Sequence, residues 1–228
     1  MKKTILPVLM SAMFVVPAVS HAENQEAVKQ LVPKTEQAMQ KTGWVKEGNT
    51  WYFYDQNGVK KTGWLKDKGT WYYLNANGTM KSSANGWNEG WLDEGGKRYF
   101  FDDSGAMRTG KLAEGGTVWY FNPDGSMVTG WELVDGDWYY FNDKTGASHA
   151  GWLSYNGKWY YFYDGPMKTG WVQDEGTWYY LNGDGPMKTG WLQENGNWYY
   201  LQSNGAMATG KHFIDGKWYS FKDNGVMM

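Results

Sequence analysis

The chain has 228 residues, among them 16 Trp, 17 Tyr, 31 Gly and no Cys, and its formal net charge is −2. Without Cys there is no disulfide framework, no thiol nucleophile and no Cys-ligated zinc. Without a basic surplus there is no field to hold nucleic acid, although rings alone can stack bases. Aliphatic residues are scarce beside the aromatics, so burial is expected to rest on rings rather than on a Leu/Ile/Val core.

Lys2 and Lys3 precede a largely apolar run over residues 4–19, and Ser20-His21-Ala22 puts small residues where a signal peptidase reads. This predicts a secretory signal peptide over residues 1–22, cleaved after Ala22. The alternative is a retained anchor. The run is interrupted by Pro7 and Pro17 and is shorter than the roughly 20 apolar residues a crossing helix needs. No second apolar run follows, so no membrane span is expected after cleavage. Residues 23–42 are polar and helix-compatible, broken by Pro33, and too few to form a catalytic domain.

From Gly43 to the end, one unit recurs. Gly-Trp appears at Gly43-Trp44, Gly63-Trp64, Gly90-Trp91, Gly130-Trp131, Gly151-Trp152, Gly170-Trp171 and Gly190-Trp191, with Gly110-Lys111 and Gly210-Lys211 filling the gaps. The spacing predicts nine repeats over residues 43–228, with an insertion at residues 82–89. Within each repeat a polar turn such as Asp135-Gly136 or Asn195-Gly196 leads into an aromatic run such as Trp71-Tyr72-Tyr73. A second turn and a Met follow. Asx-Gly between aromatic runs signals a tight β-hairpin. One hairpin is marginal in water, so the hairpins must stack. The expected fold is all-β, a solenoid of hairpin repeats.

The linked unit Gly-Trp, turn, Trp-Tyr-Tyr, Asn-Gly-x-Met-x-Thr-Gly-Trp resembles the choline-binding repeat of Gram-positive surface proteins and autolysins. The resemblance implies a left-handed β-solenoid without a catalytic domain. It also implies cages between repeats that hold choline or phosphocholine of teichoic or lipoteichoic acid, on a secreted, wall-associated protein. A host protein or a wall hydrolase is a further expected partner, and no cofactor or metal is implied. Ring faces suit the ligand, because a quaternary ammonium has no N–H to donate and presents a diffuse charge wrapped in methyl groups.

By the same resemblance, each cage takes both Trp of one repeat and a Tyr of the next. The complete sets are then Trp44, Trp51 and Tyr73; Trp131, Trp138 and Tyr161; Trp152, Trp159 and Tyr180; and Trp171, Trp178 and Tyr200. Met80, Met167, Met187 and Met207 are expected as floors, and the central Tyr of each triplet is expected to pack the solenoid. Trp64 and Trp71 face Phe100 across the insertion. Trp191 and Trp198 meet Ser220, which leaves a partial cage. Arg98 and Lys111 replace Trp in the third and fourth repeats, so no cage is expected there.

Two other function classes compete. Aromatic platforms also stack on sugars, which gives a glucan-binding alternative. A wall hydrolase would need a carboxylate pair such as Asp93-Glu94 or Asp102-Asp103, but both lie in turn-like segments whose chemistry already explains them. With only His149 and His212 after the expected cleavage point, no metal or triad constellation is available to an enzyme.

Overall fold

The computed structural model describes residues 40–228; the expected signal peptide and most of the segment 23–42 lie outside the described residues. From Gly43 onward the chain forms nine two-stranded antiparallel hairpins, one per repeat. The first four are β1 (Gly43–Glu47) with β2 (Thr50–Tyr54), β3 (Gly63–Asp67) with β4 (Thr70–Leu74), β5 (Trp91–Glu94) with β6 (Lys97–Phe100), and β7 (Gly110–Glu114) with β8 (Thr117–Phe121). Next come β9 (Gly130–Val134) with β10 (Asp137–Phe141), β11 (Gly151–Tyr155) with β12 (Lys158–Phe162), and β13 (Gly170–Asp174) with β14 (Thr177–Leu181). The last two are β15 (Gly190–Glu194) with β16 (Asn197–Leu201), and β17 (Gly210–Ile214) with β18 (Lys217–Phe221). Among the described residues the one helical element is a 3-10 turn at Trp87–Gly90, and no helix is long and apolar enough to cross a membrane.

Four of the nine hairpin turns, Asp135-Gly136, Asn156-Gly157, Asn195-Gly196 and Asp215-Gly216, are the Asx-Gly pairs read from the sequence. Asp135 and Gly136 have φ of 55° and 93°, and Asn195 and Gly196 have 49° and 77°. Both central residues are therefore left-handed, which matches the twist of the flanking strands. Lys68 and Glu175 adopt the same conformation, at φ 47° and 46°, without the short polar side chain that favours it.

Strand alternation gives each hairpin two distinct faces. In the first, Trp44 pairs with Phe53 and Lys46 with Trp51, while Val45 pairs with Tyr52 on the opposite side. Successive hairpins are stitched by the Met segment. The Met80 amide donates to the Trp51 carbonyl at 2.8 Å, Met187 to Trp159 at 2.7 Å and Met227 to Trp198 at 2.9 Å.

Two packing features support the stack. The last residue of the aromatic run is buried in repeat after repeat, as Leu74, Phe101, Phe121, Phe141, Phe162, Leu181, Leu201 and Phe221. The Met side chain then lies against the glycine of the next repeat's second turn. A Cβ on Gly205 would stand 2.2 Å from Met187 Sδ, and Gly205 also has φ 85°. Gly205 thus meets two constraints, whereas Gly190, at φ 77°, has nothing within 4 Å of the same position.

This contrast is measurable by chemical denaturation. Gly190→Ala is expected to cost about 1–2 kcal/mol, for the left-handed backbone alone. Gly205→Ala should cost about 1–3 kcal/mol more, because Met187 must leave its seat.

Candidate functional site

At each junction the face of one hairpin that carries its two Trp meets the opposite face of the next hairpin. Four of the junctions that carry a Trp pair open into ring-lined cavities. Trp44, Trp51, Tyr72, Met80 and Ser104 line about 390 Å³. Trp152, Trp159, Tyr179 and Met187, rimmed by Ser203 and Asn204, line about 410 Å³. Trp131, Trp138, Tyr160, Met167 and Asp184 line about 220 Å³, and Trp171, Trp178, Tyr199, Met207 and Asn224 about 320 Å³. Three consecutive repeats contribute to each: the Trp pair from the first, Tyr and Met from the second, and a polar turn residue from the third.

The expected Trp pairs and Met floors are thus brought together, but the third ring is displaced by one position. Tyr73, Tyr161, Tyr180 and Tyr200 do not line the cavities; Tyr72, Tyr160, Tyr179 and Tyr199 do. The reason is the pleat. Tyr73 does share a face with Trp71, but the next repeat offers its opposite face to the preceding Trp pair, and the central Tyr stands on that face. The central Tyr expected to pack the solenoid is therefore the ring that closes the cavity.

The geometry is the same from junction to junction. The leading Trp and the central Tyr of the next repeat meet edge to face, with centroids 4.8 or 4.9 Å apart in Trp44–Tyr72, Trp64–Tyr99, Trp131–Tyr160, Trp152–Tyr179, Trp171–Tyr199 and Trp191–Tyr219. Leading and trailing Trp are close to perpendicular, as in Trp171–Trp178 at 83°. The trailing Trp keeps 40% of its surface exposed at Trp178 and 47% at Trp159. Two sets that look defective in sequence keep their three rings. Tyr99 serves Trp64 and Trp71 in place of Phe100, and Tyr219 serves Trp191 and Trp198 in place of Ser220.

Where the Trp pair is missing, a side-chain cation sits on the remaining ring. Arg98 holds its guanidinium 5.0 Å from the Trp91 ring and pairs with Asp93 at 3.2 Å. Lys111 Nζ lies 5.3 Å from the Tyr139 ring and donates to its hydroxyl at 3.2 Å, beside buried Val118. Lys60, in the Met position of the first repeat, lies 3.5 Å over Tyr52. It also pairs with Glu47, whose carboxyl is held down at about 2 by hydrogen bonds from Lys41, Tyr54 and Lys60. The insertion is no free loop: Trp87 packs 4.4 Å from Phe100 and 5.1 Å from Trp119, filling the third junction.

The displaced Tyr residues have a different role. Tyr161 pairs across its own hairpin with Trp152, and its hydroxyl donates to Asp174 at 3.1 Å; the Trp152 indole N–H donates to the same carboxylate at 3.0 Å. Tyr180, Trp171 and Glu194 repeat the arrangement. Burial, and then the hydrogen bond to the carboxylate, push both phenols above their ordinary pKa. Of the carboxylate pairs considered for hydrolysis, Asp93-Glu94 ends strand β5, paired with Arg98 and Lys97, and Asp102-Asp103 belongs to a turn. Asp102 accepts from the Ser104 and Ala106 amides at 3.0 and 3.1 Å, and Asp103 from the Ser83 hydroxyl at 2.6 Å.

Comparison with known proteins agrees with this architecture. A model described as choline-binding repeat matches residues 41–87, 89–128, 114–150 and 188–228, and a cell wall binding repeat model matches 150–165 and 169–187. No curated protein matches at the sequence level. Among solved structures, CbpJ from Streptococcus pneumoniae is similar at 36% identity and TM-score 0.67, over 83% of this chain and 72% of that one. Choline binding protein F from Streptococcus pneumoniae is 42% identical with TM-score 0.62, over 78% of this chain, which spans 61% of its length. The choline-binding domain of CbpL from the same organism is 30% identical with TM-score 0.61, over 82% and 97%. The repeat matches leave no stretch between residues 41 and 228 long enough for a catalytic domain.

The raised phenols set an alkaline limit on stability. A group that holds its proton more tightly when folded contributes fully below its unfolded pKa, here 10.0, and its contribution is lost as pH rises through the folded value. Thermal stability is therefore expected to fall above about pH 10. Tyr161→Phe and Tyr180→Phe together should flatten that decline, as read by unfolding scans across pH 9–12.

Proposed function

We propose, since this chain belongs to the choline-binding repeat family, that its aromatic cages hold the trimethylammonium groups of choline and attach the protein to choline-bearing teichoic or lipoteichoic acid on the bacterial wall. The observation that carries this reading is the repeated corner of leading Trp, trailing Trp and next-repeat Tyr. Near-perpendicular rings present several negative faces to one point, which suits a compact cation. A sugar ring stacks on one flat platform, so the same corner argues against the glucan alternative. Choline binding protein F has been solved in the presence of a peptidoglycan analogue and in complex with ipratropium, which supports this reading.

A cage of this kind supplies about 2 kcal/mol or more from cation–π contact, to which apolar contact with Met and the ring edges adds. Total binding of about 4 kcal/mol corresponds to roughly millimolar affinity for free choline. Such sites are effective on a polymer, where several cages on one chain raise avidity by about 100-fold or more. A chain so attached would also cover choline groups that choline-dependent wall hydrolases use, and prebound protein is expected to slow such a hydrolase on isolated walls.

Titration with choline and with tetramethylammonium should give a saturable change in Trp fluorescence and raise the unfolding temperature, because ligand between repeats binds only the folded state. Glucose oligomers should do neither; a response to them alone would move the protein to the carbohydrate-binding class. Tyr179→Leu should weaken the Trp152 cage about tenfold, the loss of about 1.4 kcal/mol of ring contact. Tyr180→Leu, which removes the ring first expected at that cage, should leave it within about twofold. Excess choline should release the wild-type protein from choline-bearing walls.

A further inference from the structure

The cages differ in what stands behind the leading Trp. In three of them, the last residue of the next repeat's first strand is a carboxylate that accepts the indole N–H. Asp67 accepts from Trp44 at 3.0 Å, Asp174 from Trp152 at 3.0 Å, and Glu194 from Trp171. In two others that position is uncharged. Tyr155 lies 5.9 Å from Trp131, and buried Ile214 belongs to the apolar cluster against which Trp191 and Tyr200 pack. The indole N–H lies at the ring's edge, so the carboxylate stands one indole away from the cavity and never meets the ligand.

We infer that these carboxylates are positioning residues that also set charge selectivity, making the Asp67-, Asp174- and Glu194-backed cages tighter for cations than the cages backed by Tyr155 and Ile214. The inference rests on the reading of the cages as choline sites. Two effects act together. An indole N–H donating to an anion is fixed in orientation by a charge-assisted bond. The unit negative charge at the ring's edge then acts along the indole on whatever cation occupies its cavity-facing face, in a partly buried setting where screening is weaker than in water. Tyr161 and Tyr180 add a second hydrogen bond to Asp174 and Glu194, so those carboxylates are held on two sides. Among the described residues Asp67 has only the Trp44 bond, since Phe53 stands where the Tyr would be. Its cage also carries Lys46, with Nζ 5.9 Å from the Trp51 ring. Ser154 and Gln173 hold the matching positions in the Asp174 and Glu194 cages, which therefore isolate the effect.

The experiment uses the full chain with ¹⁵N-labelled Trp, following each indole N–H resonance during titration with choline and, separately, with 3,3-dimethylbutan-1-ol, its uncharged carbon isostere. Asp174→Asn keeps an acceptor for Trp152 and a donor for Tyr161 but removes the charge. The expected result is a Kd for choline at the Trp152 cage about fivefold higher, with dimethylbutanol unchanged. Ile214→Glu supplies the missing carboxylate and should tighten choline at the Trp191 cage by a similar factor, again without effect on the neutral ligand. That gain decides the matter alone if Asp174→Asn does not fold. Parallel weakening of both ligands in Asp174→Asn would mean that the carboxylate only holds the ring, and unchanged choline affinity in both variants would mean that it does neither; each overturns the inference. A wild-type chain in which no indole responds to choline would instead overturn the functional reading, and this inference with it.

Discussion

A two-stranded hairpin of short strands has two faces and no interior, and every other feature of this molecule follows from that. Large rings on either face can leave water only against the next hairpin. The junction between repeats is therefore where stability is generated, and it is also where the cavities lie. Leading Trp, central Tyr and Met are at once the packing between neighbours and the walls of a cage. The trailing Trp is the compromise, since it closes the corner while leaving close to half of its own surface open. Such a corner is held open by the Met segment: the Met80, Met167, Met187 and Met207 amides are fixed to the carbonyls of Trp51, Trp138, Trp159 and Trp178, and their side chains are seated against Gly105, Gly185, Gly205 and Gly225.

The junctions without a Trp pair show the same chemistry completed from within. A ring whose face is uncovered offers negative potential to any cation in reach. At Trp91 and Tyr139 that cation is the protein's own Arg98 or Lys111, and within the first repeat Lys60 covers Tyr52 in the same way. These contacts read as internal substitutes for a ligand. They cover the ring faces that the proposed reading leaves to an external ammonium at the other junctions. Arg98 goes further, since its guanidinium also pairs with Asp93 and donates to the Lys144 carbonyl, joining the third repeat to the fifth.

Much of this was legible in the residues, and the parts that were not have a common cause. Asx-Gly turns marked four of the hairpins, because left-handed central residues suit strands of this twist, and the Gly-Trp period marked the rest. The Gly-Trp period gave nine repeats, and nine hairpins are present. Alternation correctly put Trp71 and Tyr73 on one face. It could not say which face of the next hairpin would be turned toward them, since that depends on the path of the connecting loop. Tyr73, Tyr161, Tyr180 and Tyr200 were therefore placed one residue from the ring that closes the cavity, and Phe100 and Ser220 were read as defects although neither position faces the cage. The buried series from Leu74 to Phe221 was also missed, because one apolar residue at the end of each aromatic run carries no period of its own beside the Trp and Tyr.

Coupling between ligand and fold follows from where the cages lie. Each cavity takes its walls from consecutive repeats, so it exists only while those repeats are stacked, and occupancy must stabilise the stack. In a solenoid whose stability is a sum over neighbours, that gain is local to the occupied junction. The self-filled junctions at Trp91 and Tyr139 lie between the ring trios of the first two repeats and those of the fifth onward. They do not depend on ligand, so they hold the middle of the chain folded while the cages on either side fill and empty. On the proposed reading, a polymer that releases one group leaves a chain that is still stacked and able to bind the next. Weak individual sites are compatible with durable attachment on this arrangement, because what the fold preserves between encounters is the spacing of the cages rather than the occupancy of any one of them.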